Sequence, residues 1–106
     1  MTPLLTKLAG TSFGNCQENI RNYANPAKLG IDEYDLVREP ENQSDTNAIR
    51  VGFGPFEFGY IPSPLAQTLA PLMDSGRNLV VKHVSLNQHP HYEKLGLTVK
   101  IIELTT

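Results

Sequence analysis

Between Ala48 and Ile61 the chain reads Ala-Ile-Arg-Val-Gly-Phe, then Gly-Pro, then Phe-Glu-Phe-Gly-Tyr-Ile, and this stretch constrains the fold more than any other. Ile49, Val51 and Phe53 alternate with smaller or polar residues, as do Phe56, Phe58 and Tyr60. A strand turns successive side chains to opposite faces, so each arm can give one face to a core. Gly54-Pro55 marks a turn between the arms. The stretch predicts a β-hairpin.

Other strands are expected on either side of it. Leu4 to Ala9 ends at Gly10, and Glu33 to Arg38 ends before Pro40, which cannot donate to a central ladder. Leu79 to Leu86 and Leu95 to Leu104 are rich in Val, Ile and Leu and are separated by the turn-forming Asn87-Gln88-His89-Pro90. Two helices are expected. Asn15 to Ala24 has Asn15 as its cap, with irregular chain following to Glu33. Ser63 to Ser75 has Ser63 as cap, Pro64 at the first helical position, Leu65, Leu69, Leu72 and Met73 on one side, and Asp74-Ser75-Gly76 as the stop. Pro71 predicts a kink or an early end near Ala70. The expected fold class is therefore mainly β: a small antiparallel barrel of about five or six strands with two short helices. Its core should include Ile49, Val51, Leu65, Leu69, Val84 and Val99.

A chain of 106 residues fits a single domain, 1–106. At 40% hydrophobic and 19% charged it is composed like a folded globular protein and not like a disordered one. No apolar run is long enough to span a bilayer and Met1 to Thr6 lacks the marks of a signal peptide, so a cytoplasmic location without membrane attachment is expected. The single cysteine, Cys16, excludes an internal disulfide and a CxxC pair, and is read as a small residue in a turn. Net charge is −2, so the whole molecule carries no basic field. Asp32, Glu33, Asp35, Glu39, Glu41 and Asp45 crowd around Arg38, whereas Arg77, Lys82, Lys94 and Lys100 fall in the last third with His83, His89 and His91. One basic face, or two solvated surfaces with no partner, would each produce this distribution.

The run Leu36-Val37-Arg38-Glu39-Pro40-Glu41-Asn42-Gln43-Ser44-Asp45-Thr46-Asn47-Ala48-Ile49-Arg50-Val51 resembles the central signature of the HIRAN family. That signature is a strand ending in Arg-acid-Pro, then Asn, two variable residues, Asp, one more, Asn-Ala-Ile and a β-branched strand. The likeness continues through Phe58-Gly59-Tyr60-Ile61-Pro62 into Leu65-Ala66, and Leu8 to Phe13 looks like the family's first strand and aromatic. It thus covers nearly the whole chain. The resemblance implies a modified OB- or SH3-like barrel, usually an accessory module of helicase-like ATPases or nucleases. It implies binding of single-stranded DNA at a 3′ end, in DNA repair or replication, with aromatic rings stacked on terminal bases and an aspartate receiving the 3′-hydroxyl. Carried over, that aspartate is Asp45, the signature asparagine is Asn42 and the first aromatic is Phe13. Two positions depart from the end-binding members: Ser44 stands where they have a second stacking tyrosine, and Ser12 where a basic residue is expected.

The residues themselves leave alternatives open. A carboxylate at Asp45 accepts from a free hydroxyl and repels a phosphate, yet Asp, Asn and Ser also bond the local backbone in ordinary turns. Phe13 is a stacking platform or a buried ring; Tyr60 lines the barrel with its hydroxyl toward a ligand or packs in the core. Tyr92, beside Lys94 in the polar loop before the last strand, is a third stacking candidate, with Lys94 a phosphate contact. His83, His89 and His91 match no zinc signature, and no nucleophile elbow or phosphate loop is present. The expected function is a nucleic-acid-binding module, not an enzyme and without a cofactor, with any helicase or nuclease supplied in trans. A protein-interaction barrel that holds a partner peptide is the alternative.

Overall fold

The structure, a computed structural model, describes residues 1–88, 91 and 93–104. Among the described residues six strands and three helices follow in the order β1 (Leu4–Lys7), α1 (Cys16–Tyr23), α2 (Pro26–Leu29), β2 (Glu33–Arg38), β3 (Ile49–Phe53), β4 (Phe56–Tyr60), α3 (Ser63–Asp74), β5 (Leu79–Gln88) and β6 (Leu95–Glu103). The sheet order is β1-β6-β5-β2-β3-β4, and every pairing is antiparallel. Strand β2 joins the two halves. Its start, Glu33 and Tyr34, pairs with β5, while Asp35 to Arg38 pair with β3. The sheet curls until the chain just past β1 meets β4, where Ala9 and Tyr60 exchange backbone hydrogen bonds of 2.8 Å in both directions. This bridge turns the sheet into a small barrel, the mainly β fold expected.

One core fills it. Ile49, Val51, Phe58, Val81, Leu97, Val99 and Ile101 point inward from the strands, and Ile20 of α1 and Ala66, Leu69 and Ala70 of α3 close over them. Tyr34 meets Phe58 edge-on with ring centroids 4.9 Å apart. At the register shift between Val51 and Gly52 within the β3–β4 hairpin, Gly52 is required by a close approach, since a Cβ there would come within 2.5 Å of the Phe56 carbonyl oxygen.

Several expectations are corrected. Val84 is 43% exposed, not core. By strict alternation it shares the outer face of β5 with Val80 and Lys82, opposite the buried Leu79 and Val81, and it is left unpaired in a bulge between His83, which pairs with Val99, and Ser85, which pairs with Thr98; the slip brings Leu86, opposite Leu97, to the core side instead. Leu65 is partly buried against the core and not within it. Asn87 and Gln88 belong to β5 and not to the turn. Pro71 neither ends nor shortens α3. It lies on the exposed face, as does Gln67, whose carbonyl loses its helical partner, so solvent replaces the missing bond. The helix stops instead where Gly76, at φ +92°, lets its own N–H reach Met73 O and that of Arg77 reach Leu72 O.

The cap of α3 is Pro62, one residue before Ser63, and Asn15 makes no side-chain capping bond to α1. Cys16 is not in a turn but is the buried first residue of α1. The short α2 replaces the irregular chain expected there, with Asn25 accepting from the Ala27 N–H and Pro26 at its first position.

Candidate nucleic-acid interface

The Ala9–Tyr60 bridge fixes one end of a cavity of about 430 Å³. Phe13, Asn42, Ser44, Asp45, Glu57 and Tyr60 contribute to its lining. Four of the expected site residues, from three separate stretches of the sequence, are thereby brought together: Phe13, Asn42 with Asp45, and Tyr60.

Phe13 stands on a tight turn in which its N–H bonds to Gly10 O and its carbonyl accepts from the Cys16 N–H that begins α1. Gly10 is held at φ +65°, and a Cβ on it would lie 3.1 Å from the Phe13 ring and 3.5 Å from that of Tyr60. A glycine floor thus separates two aromatic rings. The Phe13 ring is 71% exposed, the most exposed of the large hydrophobic side chains in the described residues. Two polar side chains of α1 brace this side. Gln17 accepts from Leu95 N–H and donates to the carbonyls of Leu95 and Thr11, and Asn19 donates to Glu57 O, so α1 is bound to β6, β4 and the Phe13 turn together.

The facing wall is the loop between β2 and β3. Asn42 Oδ1 accepts from the backbone N–H groups of Ser44 and Asp45 at 2.9 and 3.1 Å, and Asn42 Nδ2 donates to Glu39 Oε1 at 3.1 Å. Asp45 Oδ1 accepts from Asn47 N–H at 2.8 Å, and Oδ2 accepts from the Ser63 hydroxyl at 3.2 Å. Asp45 therefore shapes the turn, and each of its oxygens retains a lone pair. The Tyr60 hydroxyl does not face the cavity as a free donor; it donates to Glu39 Oε1 at 2.7 Å. Burial, this hydrogen bond and the nearby Glu39 and Glu57 charges push its ionisation up to about 12. Arg38 anchors the loop from behind, donating to Asp74 and to the carbonyls of Ala48 and Thr46.

The sequence gives no direct sign of Glu39, Arg38, Gln17 and Asn19 as the parts that hold the site. Arg38 and Glu39 stand within the signature, and their spacing beside Asn42 was the one available signal. Burial, and the Glu57 charge, raise the Cys16 thiol pKa and keep it protonated at neutral pH.

Lys94 lies outside this cavity, exposed just before β6. Tyr92 and His89 fall outside the described residues. Of the basic residues in the last third, Arg77 is paired with Glu103 at 2.6 Å and Lys82 with Glu33 at 2.8 Å. His83 Nδ1 lies 2.8 Å from the Tyr34 hydroxyl, and burial lowers its pKa. Among the described residues no group of three or more His, Cys, Asp or Glu is placed to hold a metal ion, and no helix is long and apolar enough to cross a membrane.

Comparison with known proteins adds to this geometry. The chain is 37% identical over 70 residues to a Fanconi-associated nuclease 1 homolog of Arabidopsis thaliana, and 44% identical over 43 residues to a Fanconi-associated nuclease 1 homolog of Oryza sativa subsp. japonica. The matches span 65% and 37% of this chain but 7% and 4% of those proteins, so the chain corresponds to a small part of each. A crystal structure of a protein from Lactobacillus plantarum superposes with a TM-score of 0.71 at 26% identity, covering 96% of this chain and 95% of that one. The HIRAN domain of human HLTF superposes with a TM-score of 0.64 at 18% identity over 95% of this chain and 74% of that one, a likeness of fold. The HIRAN domain family model matches residues 4–102, nearly the full length of the barrel, and the chain belongs to the HIRAN family.

Proposed function

We propose that the cavity binds the 3′ end of single-stranded DNA, with the terminal base on the Phe13 ring and the 3′-hydroxyl at Asp45. The observation that carries this reading is the 71% exposed Phe13 ring at the rim of a cavity whose far wall is Asn42 and Asp45. An exposed phenylalanine gains little in water, whereas base stacking on such a ring contributes roughly 1–3 kcal/mol. Asp45 offers its remaining lone pairs to a hydroxyl, while a phosphate there would meet its negative charge. Tyr60 lines the floor, and Tyr92 and Lys94 would contact the strand beyond the last nucleotide. With Ser44 and Ser12 at the two departing positions and a net charge of −2, the affinity is modest, weaker than about micromolar. Residues 1–106 then act as one non-catalytic module, in DNA repair or replication, with a helicase or nuclease acting in trans.

The test compares single-stranded oligonucleotides ending in a 3′-hydroxyl or a 3′-phosphate. The wild type should bind the hydroxyl end clearly better. Asp45→Asn retains an oxygen for the Asn47 N–H, so stability should change little, but it removes the charge and should erase most of the discrimination. Equal binding of both ends by the wild type would reduce Asp45 to a turn residue. The second reading, a barrel that holds a partner peptide, draws on the acidic lining and the net charge of −2. Affinity for DNA that stays flat from low to moderate salt would favour it, because phosphate contacts weaken steeply with salt.

A further inference from the structure

Three carboxylates line or underlie the cavity, and their hydrogen bonds set them apart. Asp45 accepts from Asn47 and Ser63. Glu39 accepts from Tyr60 and Asn42 and lies 3.7 Å from Arg50 Nε. Glu57 lines the same cavity, yet among the described residues no group donates to its side chain.

Its position is nonetheless fixed. Its residue is in β4, its carbonyl accepts from Asn19 Nδ2 at 2.9 Å, and its Oε1 lies 3.5 Å from where a Cβ on Gly14 would stand. The carboxylate is therefore set beside the turn that carries the Phe13 ring, in the cavity that Asn42 and Asp45 also line. Asp45 faces the place assigned above to the sugar hydroxyl, and Glu57 is left for the base edge. A partly buried carboxylate that a ligand covers must receive hydrogen bonds from that ligand, or its desolvation opposes binding.

We propose that Glu57 selects the base stacked on Phe13 and favours guanine, whose N1–H and 2-amino group donate side by side to the two carboxylate oxygens. This rests on the end-binding reading above. Thymine offers a single N–H between two carbonyl oxygens that would face the carboxylate. Adenine and cytosine each place an unprotonated ring nitrogen beside their amino group, so only one of the two carboxylate oxygens is matched.

The experiment is fluorescence anisotropy with the full chain and 5′-labelled thymidine oligomers that differ only in the 3′-terminal nucleotide: guanine, hypoxanthine, adenine, cytosine or thymine. Guanine should bind about tenfold tighter than thymine, the discrimination of a good bidentate contact. Hypoxanthine, which lacks the 2-amino group, should fall between them. Glu57→Gln, nearly isosteric and checked for folding by thermal melting, should cut the guanine preference to about twofold or less, within the loss of one charge-assisted contact. If that variant fails to fold, the hypoxanthine step in the wild type still decides the matter. Equal binding of all five ends by a wild type that still prefers a 3′-hydroxyl end overturns the role of Glu57 and leaves end binding standing. A guanine preference that survives Glu57→Gln also overturns it. Absence of binding to any end overturns both proposals.

Discussion

On one wall of the cavity, the loop from Glu39 to Ala48 is tied by the side chains of three of its residues and by the arginine before it: Asn42 bonds two backbone N–H groups and Glu39, Asp45 bonds Asn47 and Ser63, and Arg38 clasps the loop to α3. On the other wall, the turn from Gly10 to Asn15 is bound by its backbone and by one side-chain bond from Gln17 to Thr11 O, and it lifts an apolar ring into solvent. The first wall is rigid because its hydrogen bonds are internal. The second leaves its contact energy unrealised until something stacks on it. A cavity with one side preorganised and the other unsatisfied is suited to holding a small polar group in place while a flat apolar one settles opposite.

The comparison breaks most severely if the connection between the walls fails. Gly59 sits at that connection, and a Cβ there would lie 2.6 Å from the Ala9 carbonyl oxygen, a backbone atom of the closing bridge. Gly59→Ala should therefore cost roughly 3 kcal/mol in urea denaturation. A loss below about 0.5 kcal/mol, the scale of an innocuous surface change, would mean that closure is not under strain.

The rigid wall comes next. Asn42→Ala removes two accepted bonds and one donated bond, and should lower stability by about 1–2 kcal/mol. The open wall should answer differently. Phe13→Ala should leave the unfolding free energy within about 0.5 kcal/mol, since the ring is already in water, while weakening single-stranded DNA binding by about tenfold. Stability losses of equal size at the two positions would erase the distinction between the walls.

The smallest effect is at Tyr60. Tyr60→Phe removes the donor to Glu39 and should cost about 0.5–1 kcal/mol at neutral pH. The tyrosine ionises near 12 when folded and near 10 when unfolded, so the folded state holds its proton more tightly. Its stabilisation is complete below pH 10 and is lost as pH rises through 12. The difference between wild type and variant should stay constant from about pH 7 to 9 and shrink above that. A difference that grows with pH would place the hydroxyl in another partnership.

The hairpin of β3 and β4 and the helix α3 were legible in the sequence because each rests on local chemistry: alternation, Gly54-Pro55, and Ser63-Pro64 before a helical period. Phe13, Asn42, Asp45 and Tyr60 were legible through their pattern and resemblance, and the fold brings them to one cavity. What was not legible depends on distant partners. Whether Phe13 is buried is decided by the turn that Gly10 and Cys16 close, not by its neighbours in sequence. Glu39 gains its place from Tyr60 and Arg50, and Arg38 from Asp74, across spans that no local pattern encodes. Val84 was misplaced because it is as apolar as Leu79 and Val81 but stands on the other face of the strand, and in a run rich in Val and Leu composition does not say which face is buried.

The pairing of β1 with β6 sets Leu4 opposite Ile101, so the first strand is joined to the last. Forming that ladder means closing a loop nearly as long as the chain, a slow search compared with hairpin formation. The hairpins β3–β4 and β5–β6 are sequence neighbours and need no such search. On a chain emerging from the ribosome, β1 must wait unpaired until β6 has been made, and the bridge from Ala9 to Tyr60 gains its lasting support only when that partner arrives. A product that stops short of β6 would accordingly have the polar loop of the cavity without its aromatic wall anchored, so ligand binding reports on the arrival of β6.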